Sequence, residues 1–115
     1  MTTAYWQTLQ ELLEHGKLII DRPAGQPHPR YPDLVYPLSY GFLENTTAGD
    51  GDGIDVWVGS LDTTKLTGIL CTFDTVKRDA EIKLLAGCSA ENVQTIMHFQ
   101  DQFMRFLYIP KPEEN

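Results

Sequence analysis

Three aspartates lie within seven residues at positions 49–55, in the run Gly-Asp-Gly-Asp-Gly-Ile-Asp. Glycines on both sides of Asp50 and Asp52 let the backbone turn tightly, so that the two carboxylates and Asp55 can come together just before an apolar run. Clustered carboxylates repel one another unless a cation lies between them. The spacing therefore predicts a metal site, although a solvated polar turn remains the alternative.

The type of metal follows from the donor atoms. A calcium-binding helix–loop–helix would need a ligand at the fifth loop position, Gly at the sixth and Glu at the twelfth. Counted from Asp50, these positions hold Ile54, Asp55 and Leu61, so that motif is excluded. A set of oxygens without His or Cys suits a hard cation, Mg²⁺ or Mn²⁺.

A second acidic group follows at Asp74, Asp79 and Glu81, with Lys83 just beyond. On a β-strand, residues 79, 81 and 83 would share one face. Two acidic groups beside cations are what a multi-metal phosphoryl-transfer site requires. A solvated strand face would give the same pattern, and this segment alone does not separate the two.

The elements that must position these groups are predicted from hydrophobic spacing. Residues 3–15 form a helix with Tyr5, Leu9, Leu12 and Leu13 inward, Thr2 or Thr3 at its start and Gly16 at its end. Strands are predicted at 17–21, 54–58, 68–73 and 82–86, and a helix capped by Ser89 at 91–105. The proline-rich segment 22–40 and the stretch 43–53 are expected to be irregular, and the tail 110–115 to be loose.

Bulk composition bounds the class of protein. The 115 residues fit one domain, 1–115, and the net charge of −7 argues against nucleic-acid or acidic-membrane partners. The chain has no apolar run long enough to span a membrane and no signal-peptide pattern at its start. We therefore expect a cytoplasmic protein.

Two motifs together resemble the soluble (family I) inorganic pyrophosphatases. They are Tyr-Pro-Leu-Ser-Tyr-Gly-Phe at 36–42 and Asp-Gly-Asp-Gly-Ile-Asp-Val at 50–56, where the family has Tyr-Pro-x-x-Tyr-Gly and then Asp-x-Asp-Pro-apolar-Asp. The spacing between the motifs agrees, and Gly53 replaces the usual Pro. Asp21 before Pro23, Arg30 before a Tyr, and the later acidic strand extend the likeness over residues 18–105, in patches.

The resemblance implies a mainly β or α+β fold, a small five-stranded OB-like barrel with an N-terminal and a C-terminal helix. It implies Mg²⁺-dependent hydrolysis of inorganic pyrophosphate to two phosphates, with a homo-oligomer as the expected assembly. Asp52 would accept a proton from the attacking water, and Tyr40 would orient that site. The metal ligands would be Asp50, Asp55, Asp74 and either Asp79 or Glu81, and the substrate contacts Arg30, Tyr36, Lys83 and Asp21.

The departures from the family concern the phosphate side. Pro32 stands where a Glu is usual, and the hairpin that carries a phosphate-binding Arg is missing. Near the C-terminus, Phe103 and Met104 replace a Tyr-Lys pair, with Arg105 as a candidate substitute. A hydrolase of another phosphoanhydride, such as a nucleotide or sugar diphosphate, and a non-catalytic metal- or phosphate-binding module therefore remain as alternatives.

Overall fold

The computed structural model describes residues 3–113. It contains two helices and six strands in the order α1, β1 to β5, α2, β6. Their bounds are α1 Thr3–His15, β1 Leu18–Arg22, β2 Ser39–Leu43, β3 Ile54–Val58, β4 Leu66–Asp74, β5 Asp79–Ala86, α2 Ala90–Gln100 and β6 Arg105–Pro110. Thr2, one of the two residues expected to cap α1, lies outside the described residues.

All six strands form a single sheet in the order β1-β2-β3-β5-β4-β6. Only β3 and β5 run parallel, with Val56 beside Leu84 and Trp57 beside Leu85, and every other neighbouring pair is antiparallel. This parallel pair places the strand after the acidic turn next to the strand that carries Glu81 and Lys83.

The sheet buries both faces. One face packs under α1, with Trp6, Leu13, Val56 and Leu84 among its buried side chains. The other packs under α2 and the segment 34–40, around Trp57, Leu70, Leu85, Ile96 and Phe99. Because side chains alternate along a strand, Asp55 and Lys83 lie on the second face, two residues before Trp57 and Leu85.

The α+β class with its two helices is confirmed, while the sheet has six strands where five were expected. Among residues 3–113 no pairing joins β1 to β6, so the sheet is not closed into a barrel. The hydrophobic spacing predicts only four of the six strands. It misses β2, which begins within the segment expected to be irregular, and β6. The helix α2 ends at Gln100 instead of Arg105, since residues 101–103 turn and β6 begins at Arg105.

The inward side of α1 includes Leu9, Leu12 and Leu13 as expected, but Trp6 takes the place of Tyr5. Trp6 is 3% exposed, whereas Tyr5 is 41% exposed. The start of α2 is as predicted: the Ser89 hydroxyl accepts from Asn92 N–H, and the Asn92 side chain accepts from Ser89 N–H, which completes a capping box. No helix in the described part of the chain is long and apolar enough to cross a membrane.

Candidate functional site

Lys83 lies at the centre of the acidic groups. Its residue is only 4% exposed, and its Nζ donates to Tyr40 Oη at 2.7 Å, Asp55 Oδ2 at 2.9 Å and Glu81 Oε2 at 3.4 Å. An ammonium group has three N–H donors, so the three acceptors use all of them. A buried lysine charge is tolerated here because two carboxylates compensate it.

Asp50 joins this group through Glu81. The loop before β3 is held against β5, since a Cβ on Gly49 would lie 2.6 Å from the carbonyl oxygen of Ala80. Gly51 has φ +90°, a conformation that side chains disfavour, and it closes the turn in which Asp52 N–H donates to Asp50 Oδ1 at 3.0 Å. The two glycines therefore let the Asp50 carboxyl group approach that of Glu81, and the two groups act on each other's pKa.

The Asp50–Glu81 contact places two carboxyl groups where one proton is shared between them. Burial, together with the hydrogen bond to Asp50, raises the pKa of Glu81 to about 6. Burial also acts to raise the pKa of Asp50, but hydrogen bonds from Glu81 and from the Asp52 backbone hold it below its usual range. Glu81 is thus the partner that takes up a proton first as the pH falls through about 6.

Tyr40 is fixed by an aromatic group. Its ring centroid lies 4.6 Å from that of Trp57 and 5.4 Å from that of Tyr36, and Phe99 completes the group at 4.9 Å from Tyr36. Burial and the negative charge of Asp55 raise the pKa of Tyr40 well above its usual value. The phenol therefore stays protonated, and its oxygen accepts from Lys83 Nζ at 2.7 Å.

The other predicted acidic residues lie around this centre. Asp52 is exposed on the turn beside Asp50. Asp74 and Asp79 face each other across the end of the β4–β5 hairpin. Asp74 Oδ1 accepts from the backbone N–H of Lys77 and Val76, and these bonds lower its pKa, so one of its oxygens already closes the turn. The structure thus brings Glu81, not Asp79, into contact with Asp50 and Lys83.

The predicted substrate contacts are more dispersed. Tyr36 is half-buried against Tyr40, and Asp21 lies close enough to influence the Tyr36 phenol. Arg30 is exposed and lines a separate depression of about 670 Å³, together with Leu34 and Phe103. Among the described residues Arg30 has no ion pair, and its role as a phosphate contact stays a prediction.

The register of β6 corrects the expectation for Arg105. Arg105 pairs with Phe73, and Phe73 pairs with Ala80, whereas Glu81 pairs with Thr72. Directly paired residues point to the same side of a sheet, so Arg105 lies on the face opposite to Glu81. It therefore does not replace the missing Tyr-Lys pair at this site.

One cation near the site was not predicted from the sequence. Arg22 pairs with Tyr40 across β1 and β2, and the charge of its guanidinium opposes the rise that burial causes in the pKa of the Tyr36 phenol. The sequence feature that could have identified Arg22 is its place between Asp21 and Pro23, within the region that resembles the family. Its orientation depends on an irregularity of β1 that residue types do not reveal.

The donor set fits a hard divalent cation. Asp50, Asp55 and Glu81 offer only carboxylate oxygens, and the Asp50–Glu81 pair is an arrangement that a cation would relieve. Within residues 3–113 no three acidic, His or Cys side chains are already grouped around one ion-sized space. Lys83 accounts for this, because its ammonium group stands between Asp55 and Glu81.

Comparison with known proteins points to one family. The family model for inorganic pyrophosphatase matches residues 10–105. The chain is similar to the inorganic pyrophosphatases of Geobacillus stearothermophilus and Bacillus sp. (strain PS3), each 35% identical over 60 residues, which covers 45% of this chain and 36% of the relative. It also resembles the structure of an inorganic pyrophosphatase from Coxiella burnetii, with a TM-score of 0.51, 19% identity and coverage of 85% of this chain and 84% of that one.

The fold is shared with a solved pyrophosphatase, and the family model gives the class of protein. Since the family model covers most of the chain, the protein belongs to the inorganic pyrophosphatase family. The match spans little more than a third of the length of the two curated relatives. At 19% identity, the likeness to the solved structure shows the fold alone.

Proposed function

We propose that this protein hydrolyses inorganic pyrophosphate to two phosphate ions with the help of Mg²⁺, with Mn²⁺ as a second usable ion. The observation that carries the proposal is the convergence of Asp50, Asp55 and Glu81 around Lys83 on a sheet whose chain matches the pyrophosphatase family. A binding module would need the carboxylates but not an additional base beside them, and Asp52 supplies such a base.

Asp50, Asp55 and Glu81 are the residues proposed to hold the divalent cations. Glu81 is preferred over Asp79 because it contacts both Asp50 and Lys83. Bound cations would lower the pKa of a water molecule and neutralise charge on the diphosphate. Asp74 and Asp79, at the hairpin end, are proposed to serve a further ion, with the second oxygen of Asp74 available for it.

Asp52 is proposed to accept the proton of the attacking water. Its backbone N–H is used to orient Asp50, whereas its exposed side chain is not needed for that bond. The carboxylate can therefore work as a base while the turn keeps Asp50 in place. A positioned carboxylate is an effective general base when the proton donor is already acidified.

Lys83 is proposed to contact the substrate only after cations have bound, while Tyr40 holds the site in place. All three N–H groups of Lys83 are taken by protein acceptors, so contact with a phosphate oxygen requires that one of these bonds be given up. The bonds to Asp55 and Glu81 are the ones that cation binding would weaken. Tyr40 is packed between Tyr36 and Trp57, and it keeps the Asp55 carboxylate and the Lys83 ammonium group in position.

The direct test is phosphate release from pyrophosphate by the purified protein, with Mg²⁺ and with a chelator. Asp50→Asn keeps an oxygen that accepts from Asp52 N–H, so the turn should survive while the metal site loses charge. We expect the Mg²⁺ concentration for half-maximal activity to rise at least about 10-fold, the smallest effect usual for groups around a metal. Glu11→Gln, the same kind of change at an exposed position of α1, should leave it unaltered.

Substrates distinguish this proposal from the alternatives. Phosphate release from a nucleotide or sugar diphosphate, without phosphate release from pyrophosphate, would show that the substrate is a larger phosphoanhydride. Mg²⁺ binding without release from any diphosphate would identify a binding module.

A further inference from the structure

The end of β1 contains a bulge that decides which side chain faces the site. Ile20 pairs with Gly41 and Arg22 pairs with the next residue of β2, Tyr40, so Asp21 is left without a partner in the ladder. An extra residue of this kind re-aims the side chains that follow it. In a regular register Asp21 would stand opposite Tyr40, and Arg22 would point to the other face.

The bulge therefore puts Arg22 on the same face as Tyr40. Tyr40 Oη lies 2.7 Å from Lys83 Nζ, which places Arg22 beside the residue that bounds the acidic centre. The segment after β1 is held in place as well, because Gly25 N–H donates to the Tyr36 carbonyl at 2.9 Å and Ala24 N–H to Ser39 Oγ at 3.2 Å. The position of Arg22 is thus fixed by the backbone on both sides.

The guanidinium is oriented, and its ion pair with Asp21 is long. Arg22 Nη1 donates to the carbonyl of Asp21 at 2.9 Å, and the Asp21 carboxylate is 3.9 Å away, too far for a hydrogen bond. The side chain is 27% exposed and also interacts with the phenol of Tyr36. A guanidinium has five N–H donors, so donors remain for an anion that enters from solvent.

The other cations near this face are less suited to bind an anion. Lys83 has all three donors engaged, and Arg105 lies on the opposite face of the sheet. Arg78 is exposed in the β4–β5 hairpin, with φ +62°. Arg22 is then the described cation that combines a fixed position beside Tyr36 and Tyr40 with unused donors.

We infer that Arg22 binds the phosphate group of the diphosphate that lies farther from the acidic turn, with Tyr36 as its neighbour. A planar guanidinium binds phosphate oxygens in pairs, which a lysine cannot do. The inference rests on the proposed function, because it concerns the substrate of the same site. It assigns a cation of the phosphate side to β1.

The test compares Arg22→Gln and Arg22→Lys with Arg105→Gln, which removes the same charge on the opposite face. Binding of methylenediphosphonate, a diphosphate that cannot be hydrolysed at its bridge, is measured calorimetrically in saturating Mg²⁺, and pyrophosphate turnover is measured alongside. Arg22→Gln should raise the Kd of methylenediphosphonate about 10- to 100-fold, as expected for loss of a charge-assisted hydrogen bond. Arg22→Lys should recover part of the loss, and Arg105→Gln should change the Kd less than about 2-fold.

The outcomes separate this inference from the proposed function. Wild-type turnover together with unchanged binding in Arg22→Gln would overturn the inference and leave the pyrophosphatase proposal standing. Weakened binding in Arg22→Gln without turnover in the wild type would support Arg22 as an anion ligand and reject the enzyme. No binding by the wild type would overturn both. Equal Mg²⁺ affinity and thermal midpoint in all four proteins show that Arg22→Gln has not acted by unfolding.

Discussion

The carboxyl groups of Asp50 and Glu81 act on each other's pKa, although one belongs to the turn before β3 and the other to β5. Two acidic side chains this close cannot both be ionised without cost. Protonation of Glu81 and cation binding are therefore competing ways to remove the same repulsion. The pair and the adjacent Lys83 together determine how the protein responds to pH and to Mg²⁺.

Mg²⁺ binding should weaken as the pH falls through about 6. The pKa of Glu81 is raised to about 6 by burial and by the bond to Asp50, so below that value a proton must leave before the carboxylate can hold a cation. Calorimetric titrations between pH 5 and 8 should give affinities that fall by about tenfold per pH unit on the acid side. In Glu81→Gln the affinity for Mg²⁺ should be lower at every pH and should hardly change near pH 6. If the Mg²⁺ affinity of the wild type also hardly changes near pH 6, Glu81 is not a ligand.

The stability of the metal-free protein should respond to the same pair. Because the folded-state pKa of Glu81 is higher than its ordinary value of 4.5, its contribution to stability is complete below that value and is lost as the pH rises through about 6. Glu81→Gln imitates the protonated form. It should raise the thermal midpoint relative to wild type at pH 7.5 and change it less at pH 4.5. The midpoints are measured by calorimetry in the presence of a chelator. A larger increase at pH 4.5 than at pH 7.5 would contradict the shared proton.

Replacement of Lys83 should destabilise the protein in a way that cations repair. Lys83→Met keeps the apolar stem but leaves Asp55 and Glu81 without their buried counter-charge. We expect a loss of about 3 kcal/mol, at the low end for a broken buried ion pair since the Asp55 side chain is 24% exposed. Mg²⁺ should restore more stability to Lys83→Met than to wild type in chemical unfolding. Lys77→Met, at an exposed hairpin position, provides the matched control.

Gly49→Ala tests the approach of the acidic turn to β5. The added methyl group would lie 2.6 Å from the Ala80 carbonyl oxygen, a backbone atom that cannot move aside cheaply. The turn should be displaced and Asp50 separated from Glu81, so Mg²⁺ affinity should drop by at least about tenfold. Thr63→Ala, an exposed change in a loop away from the site, should have no such effect. Normal affinity in Gly49→Ala would mean that Asp50 and Glu81 need not meet for cation binding.

The sequence indicated the candidate residues of the acidic site more completely than the strands of the sheet that carry them. The glycines around Asp50 and the alternation of Glu81 with Lys83 are local properties, so the sequence could indicate these residues as candidates, and their binding of a metal stays a prediction. Strand β2 was not predicted because it follows a proline-rich segment and contains Gly41. Strand β6 was not predicted because the apolar residues after Gln100 extend the helical spacing of α2. These strands form through pairing with distant partners, which local pattern does not encode. The position of Arg22 depends on one unpaired residue in β1, and that register is set by the partner strand.

The final prediction separates catalysis from binding, and it concerns Asp52. In the structure its backbone N–H, not its carboxylate, secures the turn by donating to Asp50 Oδ1 at 3.0 Å, and its carbonyl accepts from Ala48 N–H at 2.6 Å. Asp52→Asn keeps both backbone bonds and nearly the same side-chain shape, but its amide cannot take a proton. Folding and Mg²⁺ affinity should therefore stay close to wild type, while phosphate release from pyrophosphate should fall by about 10²- to 10⁴-fold, the usual contribution of a general base. Mg²⁺ titration and phosphate release are to be measured on the same two preparations, so that a loss of activity cannot be assigned to a loss of metal. Equal turnover in both proteins would remove Asp52 from the mechanism and leave the base to be sought among Asp74 and Asp79.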